Sequence, residues 1–292
     1  MNYVALTGGL GNQMFIYAFK VSLSQNNTVA LFRPYRKHSP QYGNAGYQIE
    51  QIFNIVKERD KARLLLFSIY YHIIRLAPRR VRPRLLQLAG YKELRVQDNF
   101  VYYDGIINNH FDKTLFRGTW QSEKYFINVS DTIRRTFTFN QRLINEKTRA
   151  LWEKIQQMPN PVSIHVRRND YLSSQYIAGF GGICTTDYYQ NAVEYIESQL
   201  DDPSFIVFSD DIEWCRNNMD LFNAIYVDWN AQNESWQDMF LMSKCKHNII
   251  ANSSFSWWGA YLNPFDGKIV IAPKVWWNGI EDDVVPNNWI RL

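Results

Sequence analysis

Val4 to Thr7 is a short apolar run that feeds a glycine turn, Gly8-Gly9-Leu10-Gly11-Asn12-Gln13, and Met14, Phe15, Ala18, Phe19 and Leu23 then recur at helical spacing. Strand, turn and helix are predicted in that order. A second strand is expected at Val29 to Phe32, and the Pro, Gly, Asn and Ser content of Pro34 to Tyr47 predicts a long, site-shaping loop. Leu64 to Leu76 is a strongly apolar stretch that Arg75 interrupts, too short to span a bilayer. It runs into Pro78-Arg79-Arg80-Val81-Arg82-Pro83-Arg84. Two readings stand side by side: an amphipathic helix touching an anionic membrane surface through 64–84, or a helix packed in the N-terminal half under a solvated basic collar.

Pro159 and Pro161 mark the expected boundary, with one domain over 1–158 and another over 159–292. Past it, strands at Val162–Val166, Phe205–Phe208, Ile225–Val227, Asn248–Ala251 and, last, Ile269–Ala272 alternate with helices at Tyr188–Leu200, Ile212–Asn217 and Trp236–Lys244. That alternation predicts an α/β class with a doubly wound parallel sheet in the C-terminal half.

Composition narrows the function. With 46% hydrophobic and 21% charged residues among 292, a disordered tail protein is excluded, and 16% aromatic residues leaves rings for sugar stacking beyond those in the core. Cys184, Cys215 and Cys245 form no C-x-x-C pair, which argues against a disulfide framework and for a reducing, cytoplasmic setting. The first residues carry no basic run of a secretory signal. The net charge is +4, but residues 57–95 hold 11 basic and 3 acidic side chains, so the remainder is about −4 and a charge-driven nucleic-acid partner is not expected.

Ligands of open α/β sheets bind beyond the strands' carboxyl ends. Four polar clusters fall at such ends: Gly8 to Gln13, His165 to Asp170, Ser209-Asp210-Asp211, and Asn252 to Ser256. Gly9 and Gly11 permit close backbone approach, although any tight strand-to-helix turn uses glycine, and the Walker lysine is missing. Arg167 and Arg168 form the strongest signal, because paired guanidiniums bind a diphosphate through fork-like hydrogen bonds while Asp170 orients one of them. A surface ion pair is the plainer alternative. Ser253, Ser254 and Ser256 around Phe255 precede a helical run and offer hydroxyls and N–H groups to an anion. No D-x-D triplet occurs; Asp210-Asp211 could still ligate a divalent ion, but adjacent carboxylates at a strand end point opposite ways, and arginines in place of a metal are the simpler reading.

Taken together, these residues resemble the bacterial-type α-1,2-fucosyltransferases of glycosyltransferase family 11. The matching runs are Gly8 to Phe15, Trp120 to Phe126, the H-x-R-R-x-D motif at His165 to Asp170, Phe208 to Asp211 with Trp214-Cys215, and Asp238 through Leu241-Met242-Ser243 and Cys245-Lys246-His247 to Trp258. One departure is Asn169, where glycine is usual. The resemblance implies a GT-B-like fold of two Rossmann-like halves, an acceptor-side N-terminal domain carrying a helical basic segment 57–95, and a GDP-sugar-binding domain over 159–292. It implies GDP-β-L-fucose as donor, inversion, no divalent metal or other cofactor, and the 2-hydroxyl of a galactose-terminated glycan as acceptor. Donor-side residues would be Gly9, Gly11, Asn12, His165, Arg167, Arg168, Asp238, Ser253, Ser254, Phe255 and Ser256. Glu123, Asp170 and His165 are candidate proton acceptors, with Asn12 steering the acceptor as another route. A GT-B enzyme that uses or hydrolyses another nucleotide sugar, and a non-catalytic carbohydrate-binding protein, remain the competing readings.

Overall fold

The structure is a computed structural model describing residues 1–35, 46–53, 55, 60–96 and 98–292. Two compact units emerge, Met1–Thr138 and Phe139–Leu292. The division precedes the expected 158/159 boundary because the helix Glu146–Gln157 is anchored in the second unit. Asn145 and Thr148 donate to the Asn230 side-chain oxygen at 2.9 and 3.1 Å, and Trp152 meets Phe240 edge to face at 5.1 Å.

The first unit begins with β1 (Asn2–Ala5), α1 (Leu10–Leu23), β2 (Val29–Phe32) and a short α2 (Ile49–Ile52). It continues with α3 (Lys61–Leu76), α4 (Arg82–Leu88), β3 (Lys92–Arg95), β4 (Thr114–Arg117) and α5 (Ser130–Thr136). Its four strands are all parallel in the order β2-β1-β4-β3. β1 starts ahead of the expected Val4 because Asn2 is buried and acts as a polar rivet. Its amide donates to the Phe111 carbonyl at 2.8 Å and accepts from the Thr114 N–H at 2.9 Å. The basic segment expected to be helical over 57–95 is helical only through α3 and α4 and closes in the edge strand β3. Residues 56–59, and 36–45 of the expected loop, lie outside the described residues.

The second unit holds α6 (Glu146–Gln157), β5 (Asn160–Val166), α7 (Ile177–Phe180), α8 (Thr186–Gln199), β6 (Pro203–Ser209) and α9 (Ile212–Asn218). β7 (Ile225–Val227), α10 (Trp236–Met242), β8 (His247–Ile249), α11 (Ser254–Leu262), β9 (Val270–Ala272) and β10 (Ile290–Arg291) complete it. The strand expected to be last is therefore followed by another, and β10 pairs parallel to β9. All six strands are parallel in the order β10-β9-β8-β5-β6-β7. One face of β5, Val162, Ile164 and Val166, packs on Tyr188, Tyr189, Ala192 and Ile196 of α8.

Strand order places the sites. β5 enters in the middle, the chain winds outward through β6 and β7, then returns to lay β8, β9 and β10 on the other side. Loops leaving β5 and β8 therefore diverge, which opens a crevice at the switch point. A second switch lies in the first unit between β1 and β4.

Candidate active site

The β5 end carries His165, Arg167, Arg168 and Asp170, and the β8 end leads into Ser253 to Ser256. Tyr171 joins the two loops, its hydroxyl donating to the Asn252 carbonyl at 3.0 Å. Arg167 is held by two carboxylates: Nε and Nη2 donate to the two Asp170 oxygens at 2.9 Å each, and Nη1 lies 3.2 Å from Asp210 Oδ2. Burial opposes its charge, but the Asp170 hydrogen bonds and the Asp210 and Asp170 charges outweigh burial and raise its pKa. Arg168 is held differently. Its Nε donates to Asp211 Oδ2 at 3.2 Å, its backbone N–H to Asp210 Oδ1 at 2.9 Å, and its guanidinium lies 3.8 Å over the Trp214 ring. Its two terminal nitrogens make no hydrogen bond among the described residues. Asp211 also caps α9 through the Trp214 N–H, so Asp210 and Asp211 pair with different guanidiniums.

Asn169 sits at φ −42° and donates to the Asp210 carbonyl at 2.5 Å. This loop therefore needs no glycine at that position.

His165 is buried, and its Nδ1 has no hydrogen-bond partner among the described residues. Burial, with the Arg167 charge adding to it, pushes its pKa down to about 3. The ring is neutral at working pH, and an imidazole whose conjugate acid is this strong is a weak base. Its ring centre lies 5.7 Å from that of Phe255.

The serines divide. The Ser253 oxygen accepts from the Phe255 N–H and caps α11, while Ser256 is fully buried, its hydroxyl 3.3–3.4 Å from the Ser253 and Ala251 carbonyls. Ser256 thus braces the turn instead of facing an anion, which corrects that expectation. Ser254 is half-buried, with no hydrogen bond from its hydroxyl among the described residues.

Asp238 lies in the first turn of α10, with no hydrogen bond to the arginines among the described residues. It accepts from the Asn230 amide at 2.8 Å, and burial pushes its pKa up to about 8 against that hydrogen bond.

Gly9, Gly11, Asn12 and Glu123 all lie in the first unit. Gly8 holds the turn at φ +79°, where an added Cβ would stand 2.6 Å from the Asn12 side-chain nitrogen. Gly9 precedes α1 in an extended conformation that any residue adopts, and a Cβ there would meet no atom within 4 Å among the described residues. Gly11 is buried inside α1. The Asn12 oxygen accepts from the Gln121 amide at 2.9 Å, which joins the turn to the segment carrying half-buried Glu123. At the β1/β4 switch a cavity of about 470 Å³ is lined by Thr7, Gly8, Arg95, Asn99, Arg117 and Thr119, among others.

Arg95, Arg117 and Thr119 escaped the sequence reading because β3 and β4 did. The signal was Gly118 after the Thr-Leu-Phe-Arg run, where a Cβ would lie 2.5 Å from Val96. Among the described residues no group of three His, Cys, Asp or Glu side chains is placed to hold a metal ion.

Residues 81–291 match Glycosyl transferase family 11. An α-1,2-colitosyltransferase of Escherichia coli is 33% identical over 98% of this chain and 97% of its own length. The O-antigen biosynthesis glycosyltransferase WbnK, also of Escherichia coli, is 33% identical over 99% of this chain and all of its own. Among solved structures, the α-1,6-fucosyltransferase NodZ soaked with GDP-fucose superposes with a TM-score of 0.55 at 15% identity, covering 90% of this chain and 92% of the other. That likeness is one of fold, and the α/β, GT-B-like class implied by the sequence is the class observed.

Proposed function

Since the chain belongs to glycosyltransferase family 11, we propose that it transfers L-fucose from GDP-β-L-fucose to the 2-hydroxyl of a terminal β-galactose, with inversion and without a divalent metal. The observation that carries this reading is Arg168, the arginine with two unclaimed terminal nitrogens, on a loop tied through Tyr171 to the start of α11. Inversion requires in-line attack on the anomeric carbon through an oxocarbenium-like state while negative charge builds on the departing diphosphate. Arg168 meets that charge, Arg167 holds the loop, and Ser254 with the first N–H groups of α11 takes a phosphate oxygen. Neutral His165 offers one hydrogen bond from its Nδ1 side. Both oxygens of Asp170 accept from Arg167, and burial with the Arg167 charge leaves the His165 imidazole only weakly basic, so in this reading the 2-hydroxyl proton passes to Glu123 or, with Asn12 steering the acceptor, to a donor phosphate oxygen. The open face of Gly9 leaves room for a sugar or phosphate against the backbone.

A second reading keeps the site and changes the sugar, favoured by the likeness to an α-1,2-colitosyltransferase. Colitose is fucose without its 3-hydroxyl. A site built to bond that hydroxyl rejects the deoxy sugar by about 10⁴-fold or more, whereas a site without such a partner discriminates weakly. Purified protein should be given GDP-fucose and GDP-colitose separately with a panel of β-galactosides, and the new linkage mapped. Preferred transfer of fucose to the 2-hydroxyl supports the first reading. Preference for colitose moves the assignment to the second, and release of free sugar with no acceptor product overturns both.

In the same reading Asp238 presents a carboxylate to the N–H groups of guanine. Its folded pKa near 8 lies above the unfolded value of 3.8, so its stabilising contribution to the apoprotein is full below the unfolded pKa and is lost as pH rises through about 8. Binding of guanine to the ionised form then expels a proton. GDP affinity should rise up to about tenfold per pH unit between roughly pH 6.5 and 8, and Asp238→Asn should flatten that slope. Calorimetry across the range decides it; a flat wild-type profile removes Asp238 from guanine recognition.

A further inference from the structure

We propose that the outer face of α3 and α4 seats this chain on an anionic lipid bilayer. From Lys61 to Lys92 there are eight Lys and Arg residues and no Asp or Glu. The core face of α3, Phe67, Tyr71 and Ile74, packs with Tyr3, Phe32 and Leu115. Its opposite face should be polar if the helix served the core alone. Instead Leu65, Leu66, Ile69, Ile73 and Leu76 stand 61%, 67%, 51%, 61% and 87% exposed. At the helical repeat these five fall within an arc of about 100° turned away from the core. Val81 and Leu88 in the same stretch are exposed too, so seven of the sixteen exposed large apolar side chains among the described residues lie in this one segment.

The charges around the patch have two fates. Arg75 donates to the Pro34 carbonyl at 2.8 Å, and Arg82 donates to the Ala77 and Arg75 carbonyls at 3.0 and 2.8 Å, which fixes the turn between α3 and α4. Arg79, Arg80 and Arg84 are exposed and make no hydrogen bond or ion pair among the described residues. Branched aliphatic side chains beside unpaired guanidiniums, on a stretch without an acid between Lys61 and Lys92, match the acyl layer and the phosphate layer of an anionic bilayer together. A second copy of the chain would bring its own arginines against these, like charge against like. No helix among the described residues is long and apolar enough to cross a membrane, so the contact is with the surface.

The test is co-sedimentation of the full chain with phosphatidylcholine vesicles, with and without about one third phosphatidylglycerol, at about 0.05 M and 0.5 M salt. Neither donor nor acceptor is present, so the outcome is independent of the transfer reaction. Binding is expected to the anionic vesicles only and to weaken at the higher salt. Arg79→Glu with Arg80→Glu and Arg84→Glu should lower the partition coefficient on the order of 100-fold. Leu66→Gln with Ile73→Gln should lower it by a similar factor at unchanged charge, roughly tenfold per side chain. These positions are exposed, so the circular dichroism spectrum should not change. Absence of binding to anionic vesicles, or binding indifferent to both variants, overturns the proposal. So does a concentration-dependent dimer, seen by analytical ultracentrifugation, that the apolar variant abolishes while vesicle binding persists; the occupant is then a second copy.

Discussion

Replacing Arg168 by alanine is expected to lower kcat/KM for the sugar transfer on the order of 10² to 10³-fold, with most of the loss in kcat. The guanidinium is worth more to the departing diphosphate than to the bound donor, and removing a preorganised donor of this kind costs that much in rate. Arg168→Lys should recover only part of the loss, because an ammonium has neither the fork geometry nor the planar face that stacks on Trp214 at 3.8 Å. Steady-state kinetics with both variants are the measurement. A near-normal kcat in Arg168→Ala would move the leaving-group role to Arg167 or to α11. The outcome for Arg167→Ala should differ in kind, since that side chain bonds Asp170 and Asp210 and its loss also releases the loop. Its activity should be lost together with part of the thermal stability, whereas Arg168→Ala should melt near the wild type.

The largest effect on stability is expected at Trp257. Its ring is fully buried, stacks on Tyr261 at 4.8 Å and lies 5.5 Å from Trp289, and its indole N–H donates to the Val284 carbonyl at 2.8 Å. Trp257→Ala leaves a cavity and an unpaired carbonyl, at a cost of about 3–5 kcal/mol for the truncation and on the order of 1 kcal/mol more for the lost hydrogen bond. That is a large share of the roughly 5–15 kcal/mol that holds a domain folded. Denaturant unfolding should show the midpoint falling sharply, and GDP binding should fall with it because α11 carries the serine turn. A midpoint within experimental error of the wild type would show that the C-terminal segment does not secure α11.

The second unit was legible because its central strands β5, β8 and β9 are buried and its apolar runs stand out: β6, β7 and α9 lie within two residues of their expected limits. The first unit hid half of its sheet. β3 is Lys-Glu-Leu-Arg, an edge strand with charged, exposed side chains, which carries no apolar signal. β4 is a central strand of four residues set between Lys113 and Gly118, too short for a pattern. Missing these two meant missing Arg95 and Arg117 at the β1/β4 switch. At the candidate site the residue types were readable and their allegiances were not. Nothing in Arg-Arg-Asn-Asp tells which guanidinium the Asp170 carboxylate takes, since that depends on where β6 delivers Asp210 and Asp211. The three serines looked equivalent in sequence, yet helix geometry assigns Ser253 to the cap and turns Ser256 inward.

The positive charge of the arginine loop is already more than offset by its own carboxylates. Two positive charges, Arg167 and Arg168, face three negative ones, Asp170, Asp210 and Asp211. Such a cluster presents no long-range attraction to an anion approaching through solvent, so encounter with a nucleotide sugar is governed by diffusion and fit, and its rate should respond little to ionic strength. What the cluster supplies is orientation: guanidiniums that are fixed before the ligand arrives lose little rotational freedom on binding it.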